Sequence, residues 1–167
     1  MDQQGIEHYI WENRGSFYRL AYAYVHNEAD ALDIVSASIV KALENKRGLR
    51  NSQAIKTWFY RIIVHTAIDF IRKNKRVVYL DDLSATDPGH DDHYADPDLQ
   101  RALRRLPDPC RITVILRYFE DMPIEEIATV LNQNVNTVKS RLYRALEMLK
   151  TELVTVPSSS AGGQSHE

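Results

Sequence analysis

Residues 123–150 read PIEEIATVLNQNVNTVKSRLYRALEMLK, and this stretch has the pattern of a helix–turn–helix. Pro123 suits a first helical position, where its missing N–H is no loss. Ile124, Ile127, Ala128 and Leu131 follow as one apolar stripe at helical spacing. The run 132–135 is a polar turn with one apolar plug, and Asn136 can cap a second helix through its side-chain oxygen. In that helix Val138, Leu142, Ala145, Leu146 and Leu149 share a buried face. Thr137, Lys139, Ser140, Arg141, Tyr143 and Arg144 stay mainly outside, near its start. A short-turn helix pair whose second helix begins with basic and hydroxyl groups is a shape that enters the DNA major groove.

Outward from this motif the chain reads as helices. Ile10, Phe17, Leu20, Ala21, Tyr24 and Val25 share a face in a helix over 6–25. Asn27 can cap a second helix over 28–46, with Leu32, Val35, Ile39, Val40 and Leu43 inward and Gly48 at its stop. Ile55, Trp58, Phe59, Ile62 and Ile63 form the stripe of a third helix. A change of phase at His65–Thr66 predicts a break, then a fourth helix that carries Ala67, Ile68 and Ile71 and ends near Arg76. Helical spacing resumes at Leu99 with Ala102, Leu103 and Leu106, is punctuated by Pro107 and Pro109, and continues through Ile112, Ile115, Leu116 and Phe119. Alternating β-branched runs are few, so the expected class is all-α: two small helical domains on a flexible acidic linker. The expected boundaries are 1–76, a linker at 77–98, a second domain at 99–154 and a disordered tail at 155–167, ending PSSSAGGQSHE.

Composition narrows the function classes. The chain has 167 residues, 44% of them apolar, enough to bury a core. No apolar run approaches the ~18 residues that span a bilayer, and MDQQGIEHY lacks the pattern of an export signal; a cytoplasmic location is expected. Cys110 is alone, so an intramolecular disulfide and a cysteine zinc site are both excluded, and a small buried apolar role fits it. The net charge of −2 conceals an asymmetry. Between Lys46 and Arg76 nine basic residues stand against one acid, Asp69. Between Val77 and Asp98 there are seven aspartates and no Lys or Arg. Nine cations with one anion is a costly surface unless phosphates neutralise it.

Two surfaces stand out beside the helix–turn–helix. On the helix after Asn27, the residues Asp30, Asp33, Ile34, Ala37 and Lys41 fall on the face away from Leu32, Val35 and Ile39. An apolar Ile34 among carboxylates suits docking to another protein's helix, against the plainer reading of a solvated face with an acidic first turn. On the third helix Trp58 and Phe59 have core spacing, while Lys56, Tyr60 and Arg61 project elsewhere. His65, Thr66 and the basic run Arg72, Lys73, Lys75 and Arg76 continue that surface. His90, Asp91, Asp92, His93 and Asp96 have metal-ligating side chains, but a tether does not preorganise ligands.

Two separated patterns then agree: DALDIV (Asp30–Val35) with TWFYRIIVHTAIDFIRKNKR (Thr57–Arg76), and LRRLPDPCRITVILRYFEDMPIEEIA followed by NTVKSRLYRAL. In this order and at this separation the chain resembles an ECF-type sigma factor of bacterial RNA polymerase, a branch of the sigma-70 family. DDHYADPDL together with NTVKSRLYRAL is most similar to the SigV-type members. The likeness runs from about Phe17 to Lys150, with region 2 of such proteins matching the first domain and region 4 the second.

The resemblance implies an alternative sigma factor: sequence-specific promoter recognition, melting and initiation, with no bond made or broken by the protein and no cofactor or metal. It implies that Asp30, Asp33, Ile34, Ala37 and Lys41 meet core RNA polymerase at the clamp coiled coil, with a further contact at the flap. Lys56, Tyr60, Arg61, His65, Thr66, Arg72, Lys73, Lys75 and Arg76 would hold the −10 element, a flipped base sitting near His65 and Thr66. Asn136, Thr137, Lys139, Ser140, Arg141, Tyr143 and Arg144 would read the −35 element. The acidic linker would imitate RNA in the polymerase interior, and an anti-sigma protein, often membrane-bound, would hold the factor inactive.

Two rivals remain at this point. A stand-alone helix–turn–helix regulator needs only the last motif, as a dimer on palindromic DNA. A helical enzyme has little support, since no Gly-rich phosphate loop or nucleophile elbow is present.

Overall fold

The computed structural model describes residues 1–74 and 96–155. The expected linker up to residue 95, with His90 to His93, and the tail after residue 155 lie outside the described residues. Seven α-helices make up the framework, with no strand among the described residues. They are α1 (Gln3–Val25), α2 (Glu28–Glu44), α3 (Ile55–Asn74), α4 (Pro97–Arg105), α5 (Asp108–Val114), α6 (Ile124–Leu131) and α7 (Val135–Thr155). No described helix is long and apolar enough to cross a membrane.

Local chemistry explains the helix starts. Asp2, Asn27 and Asp96 each accept a hydrogen bond at 2.9 Å from a backbone N–H in the first turn of α1, α2 and α4. Each satisfies a donor that the helix leaves orphaned. α2 stops earlier than expected, at Asn45, and Gly48 closes a separate 3₁₀ turn, Lys46–Gly48. The predicted break at His65–Thr66 is absent: α3 runs unbroken from Ile55 to Asn74. The apolar stripe drifts around a long helix because it packs on different neighbours along its length, and that drift imitates a break. After α5 the chain widens into one π-helical turn, Ile115–Phe119.

α1, α2 and α3 pack together around Phe17, whose ring centroid lies 4.4 Å from Phe59 and 5.4 Å from Tyr60. α4, α5 and α7 enclose a smaller cluster of Leu103, Leu106, Cys110, Leu142 and Leu149. The main core does not end with the first three helices. Leu116, Met122, Ile127 and Val130, all fully buried, join Phe17, Phe59 and Tyr60 in one continuous cluster. The two halves are therefore helical as expected, but α6 lies directly across α3. Burying each such side chain stabilises by about 1.5–3 kcal/mol before conformational entropy is subtracted.

Candidate nucleic-acid interface

The helix–turn–helix is built as the sequence predicts, with its caps shifted. Pro123 precedes α6 instead of starting it, with ψ of 150°, and Glu125 and Glu126 occupy the first turn, where the helix dipole favours acids. Asn132 closes α6 in the left-handed region at φ 52°, its N–H bonded to the Ala128 and Thr129 carbonyls. Asparagine tolerates that conformation better than most residues. The cap of α7 is Asn134, not Asn136: its Oδ1 accepts from the Thr137 N–H at 2.7 Å. The cap falls two residues earlier because Val135 and Asn136 already have helical geometry.

Asn134, Asn136, Thr137, Ser140, Arg141 and Arg144 line an open groove of about 420 Å³ along the start of α7. Lys139, Ser140 and Arg144 are exposed, and Tyr143 is 70% exposed. No acid occurs from Val135 to Leu146, so the first half of α7 carries three cations and no carboxylate. Leu146, expected inside, is 40% exposed and extends the face.

The surface on α3 is rearranged. Arg61, His65, Arg72 and Lys73 are exposed; Lys75 and Arg76 lie outside the described residues. Tyr60 is buried, contrary to expectation, at 1% exposure. Its hydroxyl donates to Glu120 Oε2 at 2.6 Å. Burial first, then the Glu120 charge, pushes this phenol far above its ordinary range. Thr66 is buried too: it donates to the Ile62 carbonyl at 2.7 Å and accepts from Lys41 Nζ at 3.1 Å, tying α2 to α3. Lys56 donates to the Glu120 backbone carbonyl. His65, Ile68, Asp69 and Arg72 face Leu131, Asn132 and Gln133 of the helix–turn–helix across a cleft of about 290 Å³.

On α2 the docking face must be redrawn. Ile34 is fully buried, and the exposed apolar residues are Leu32 at 50% and Val40 at 54%, both expected inside. The helix packs with its Ala31, Ile34, Val35, Ser38 and Ala42 face inward, rotated from the stripe that the larger apolar residues suggested. Small Ala and Ser side chains allow that close approach, and Ser38 satisfies itself on the Ile34 carbonyl at 2.7 Å. Asp33 and Ala37 remain exposed, Asp30 and Lys41 are half-buried, and Leu32, Ser36 and Val40 form the apolar-rimmed outer line. Partial burial, then the neighbouring Asp33 charge, raises the Asp30 carboxyl above its ordinary range.

Sequence reading missed Arg111, 88 residues along from its α1 partner Ala23 and buried to 7% exposure. Its guanidinium donates to the Leu103, Arg104 and Leu106 carbonyls at 3.4, 3.2 and 3.3 Å and to the Ala23 carbonyl of α1 at 3.4 Å. A cation there satisfies the carbonyl ends of two helices at once. It also pairs with Asp108, which lies 3.3 Å from His26 Nε2. His26's hydrogen bond, opposed by desolvation and helped by the Arg111 charge, holds Asp108 below the usual carboxylate range. Glu120 was missed as well; no local pattern marks a residue whose partners, Arg19, Lys56 and Tyr60, are 60 or more positions away. Among the described residues no group of His, Cys, Asp and Glu is placed to hold a metal ion.

Known proteins match this arrangement over most of its length. Residues 10–77 match the family model for Sigma-70 region 2, and residues 97–149 match that for Sigma-70, region 4. The RNA polymerase sigma factor SigV of Bacillus subtilis (strain 168) is 49% identical over 146 residues, covering 86% of this chain and 88% of the relative. The ECF RNA polymerase sigma factor SigW of the same strain is 30% identical over 169 residues, covering 91% and 90%. Among solved structures, the sigma factor RpoE from Bartonella quintana, in complex with the anti-sigma factor NepR, superposes with a TM-score of 0.76 at 20% identity, covering 90% of this chain and 98% of that one. CnrH, solved with the cytosolic domain of CnrY, gives 0.61 at 19% identity, covering 93% and 92%. These likenesses in structure establish a shared fold. With the region 2 and region 4 matches in order on one chain and close relatives along nearly its whole length, the chain belongs to the ECF group of the sigma-70 family.

Proposed function

We propose that this chain is an alternative sigma factor that binds core RNA polymerase, brings it to promoters and assists melting, making and breaking no bond itself. The observation that carries the reading is the pairing of two basic surfaces on one chain, the exposed face of α7 and the exposed cations of α3. Residues 1–76 serve core polymerase and the −10 element, 77–98 connect, and 99–154 serve the −35 element. In α7, Asn136, Thr137, Lys139, Ser140, Arg141, Tyr143 and Arg144 meet the duplex; an arginine bidentate to guanine supplies about 1–3 kcal/mol of discrimination. On α3, Lys56, Arg61, His65, Arg72 and Lys73, continued by Lys75 and Arg76, hold the separated strand. Tyr60 and Thr66 support that surface from below. Phosphate neutralisation there offsets the few kcal/mol that unstacking a base costs.

The polymerase clamp takes the outer face of α2: Asp30, Asp33, Ala37 and Lys41 stay in the docking set, while Leu32 and Val40 replace Ile34 as its apolar anchors. An anti-sigma protein is a further partner by analogy with the RpoE–NepR and CnrH–CnrY complexes. The factor works in the cytoplasm, where its polymerase is.

The test is in vitro transcription with purified core enzyme on a library of promoter fragments. Addition of the chain should create discrete start sites with a shared −35 and −10 pattern. Binding of the free protein as a dimer to palindromic DNA, with no gain in start-site selectivity, would replace this reading with a stand-alone regulator.

A further inference from the structure

Three of the features that join the first three helices to the helix–turn–helix half engage groups that the proposed function assigns to DNA. Lys56 donates to the Glu120 carbonyl. His65 and Arg72 face the turn residues Asn132 and Gln133 across a narrow cleft. Arg141 sits close enough to Tyr24 of α1 for its charge to act on that phenol, against the larger effect of burial. In this arrangement Lys56 of α3 is engaged by another part of the same chain, and His65 and Arg72 border it.

Glu120 is the polar centre of the contact. It is 6% exposed, and its partner Tyr60 packs against Phe17 in the shared core. One carboxylate oxygen accepts from Tyr60; the other, 3.6 Å from Arg19, accepts no hydrogen bond among the described residues. The charge reaches Tyr9 as well, adding to the burial that raises that phenol. A buried carboxylate with one strong hydrogen-bond donor is a poised element: removing that donor leaves one oxygen unsatisfied while Arg19 stays 3.6 Å from the other, whereas replacing both partners by apolar groups relieves the penalty.

We propose that Glu120 is a latch that holds the chain in a self-masked state, using its carboxylate on Tyr60 and its carbonyl on Lys56 to close the helix–turn–helix half over the −10 surface. Opening returns Glu120 to water, frees Lys56 for phosphate and clears the cleft beside His65. The latch rests on the reading of α3 as the −10 surface, and the experiment separates the two.

Spin labels on Glu12→Cys and Glu147→Cys, exposed on α1 and α7, report the separation of the halves in a Cys110→Ala background. Tyr60→Phe keeps the ring against Phe17 and removes the one hydroxyl donor; unchanged circular dichroism checks that the helices persist. The open-to-closed ratio should rise at least tenfold in Tyr60→Phe and return to the parent value or below in Tyr60→Phe/Glu120→Met. An unchanged separation in Tyr60→Phe, or a double variant as open as the single one, overturns the latch. In the same samples a fluorescent single-stranded oligonucleotide should bind at least fivefold tighter to Tyr60→Phe. Wider separation with no gain in oligonucleotide binding leaves the latch standing and overturns α3 as the strand-binding surface.

Discussion

α7 and α3 are both long helices with exposed cations, yet α3 turns part of its expected surface inward. The first half of α7 points Lys139 and Arg144 at solvent along an open groove. α3 commits Lys56 to the Glu120 carbonyl and turns Tyr60 and Thr66 inward. The difference follows from what covers each helix. α7 is buried along one stripe only, so charge on its other face meets water. α3 is flanked by α1 and α2 and then crossed by α6, which leaves it a narrow exposed strip. The polar face of a helix is mostly legible in sequence where one face is packed; a helix packed on several sides sorts its residues by partners that lie far away in the chain.

The comparison is sharpened most by its counterpart on α2. Ile34→Ala should lower stability by about 2–5 kcal/mol, since a fully buried isoleucine leaves a cavity. Leu32→Ala should change stability by no more than about 0.5 kcal/mol while weakening the complex with core polymerase. Chemical denaturation and co-elution on gel filtration measure the two effects. Equal destabilisation by both substitutions would undo the assignment of the outer face.

On α7, Arg144→Ala should weaken binding to a selected −35 duplex by about 1–3 kcal/mol if it reads a base. If it meets phosphate, the loss should be uniform across sequences and the salt dependence should fall by about one counterion. Titrations at two salt concentrations on matched and mismatched duplexes decide between them, and no loss at all on any duplex would remove Arg144 from the interface.

Asn134→Ala should cost about 1 kcal/mol in stability by removing the α7 cap, whereas Asn136→Ala should be close to neutral. The reverse order in thermal melts would restore the cap to Asn136.

The smallest effect expected concerns Asp108, whose side chain is 54% exposed, so its contribution is screened to under about 1 kcal/mol. Its carboxyl is held below the ordinary range in the folded chain, so its contribution is complete above the unfolded value near about pH 4 and is lost as pH falls through the lower folded value. Urea midpoints of Asp108→Asn should trail the parent by a constant gap near neutral pH, and that gap should close in acid. A gap that persists undiminished in strong acid would show that charge at Asp108 contributes nothing.

Helix existence, the helix–turn–helix, the basic stretch and the family were all legible in sequence, because they rest on periodicity and on local runs of residue type. Which face of α2 is outermost was not. Ala31, Ser38 and Ala42 carry little hydrophobic signal, yet their small size lets α2 sit close on its neighbours, so they take the inner face and displace Leu32 and Val40. The break assigned at His65–Thr66 has the same origin, a stripe that shifts as the neighbours of α3 change.

The order of helices, the cap at Asn27 and the charge of α7 were settled by the amino-acid sequence alone, since each depends on residues within a turn or two of one another. Tertiary structure alone decided that Glu120 meets Tyr60 and Lys56, that Arg111 joins the ends of α1 and α4, and that the halves share one core. Those pairs are separated by 60 to 88 residues, and a contact at such range has no period along the chain to announce it. It exists because closing the fold removes apolar surface from water and obliges every polar group trapped there to find a partner.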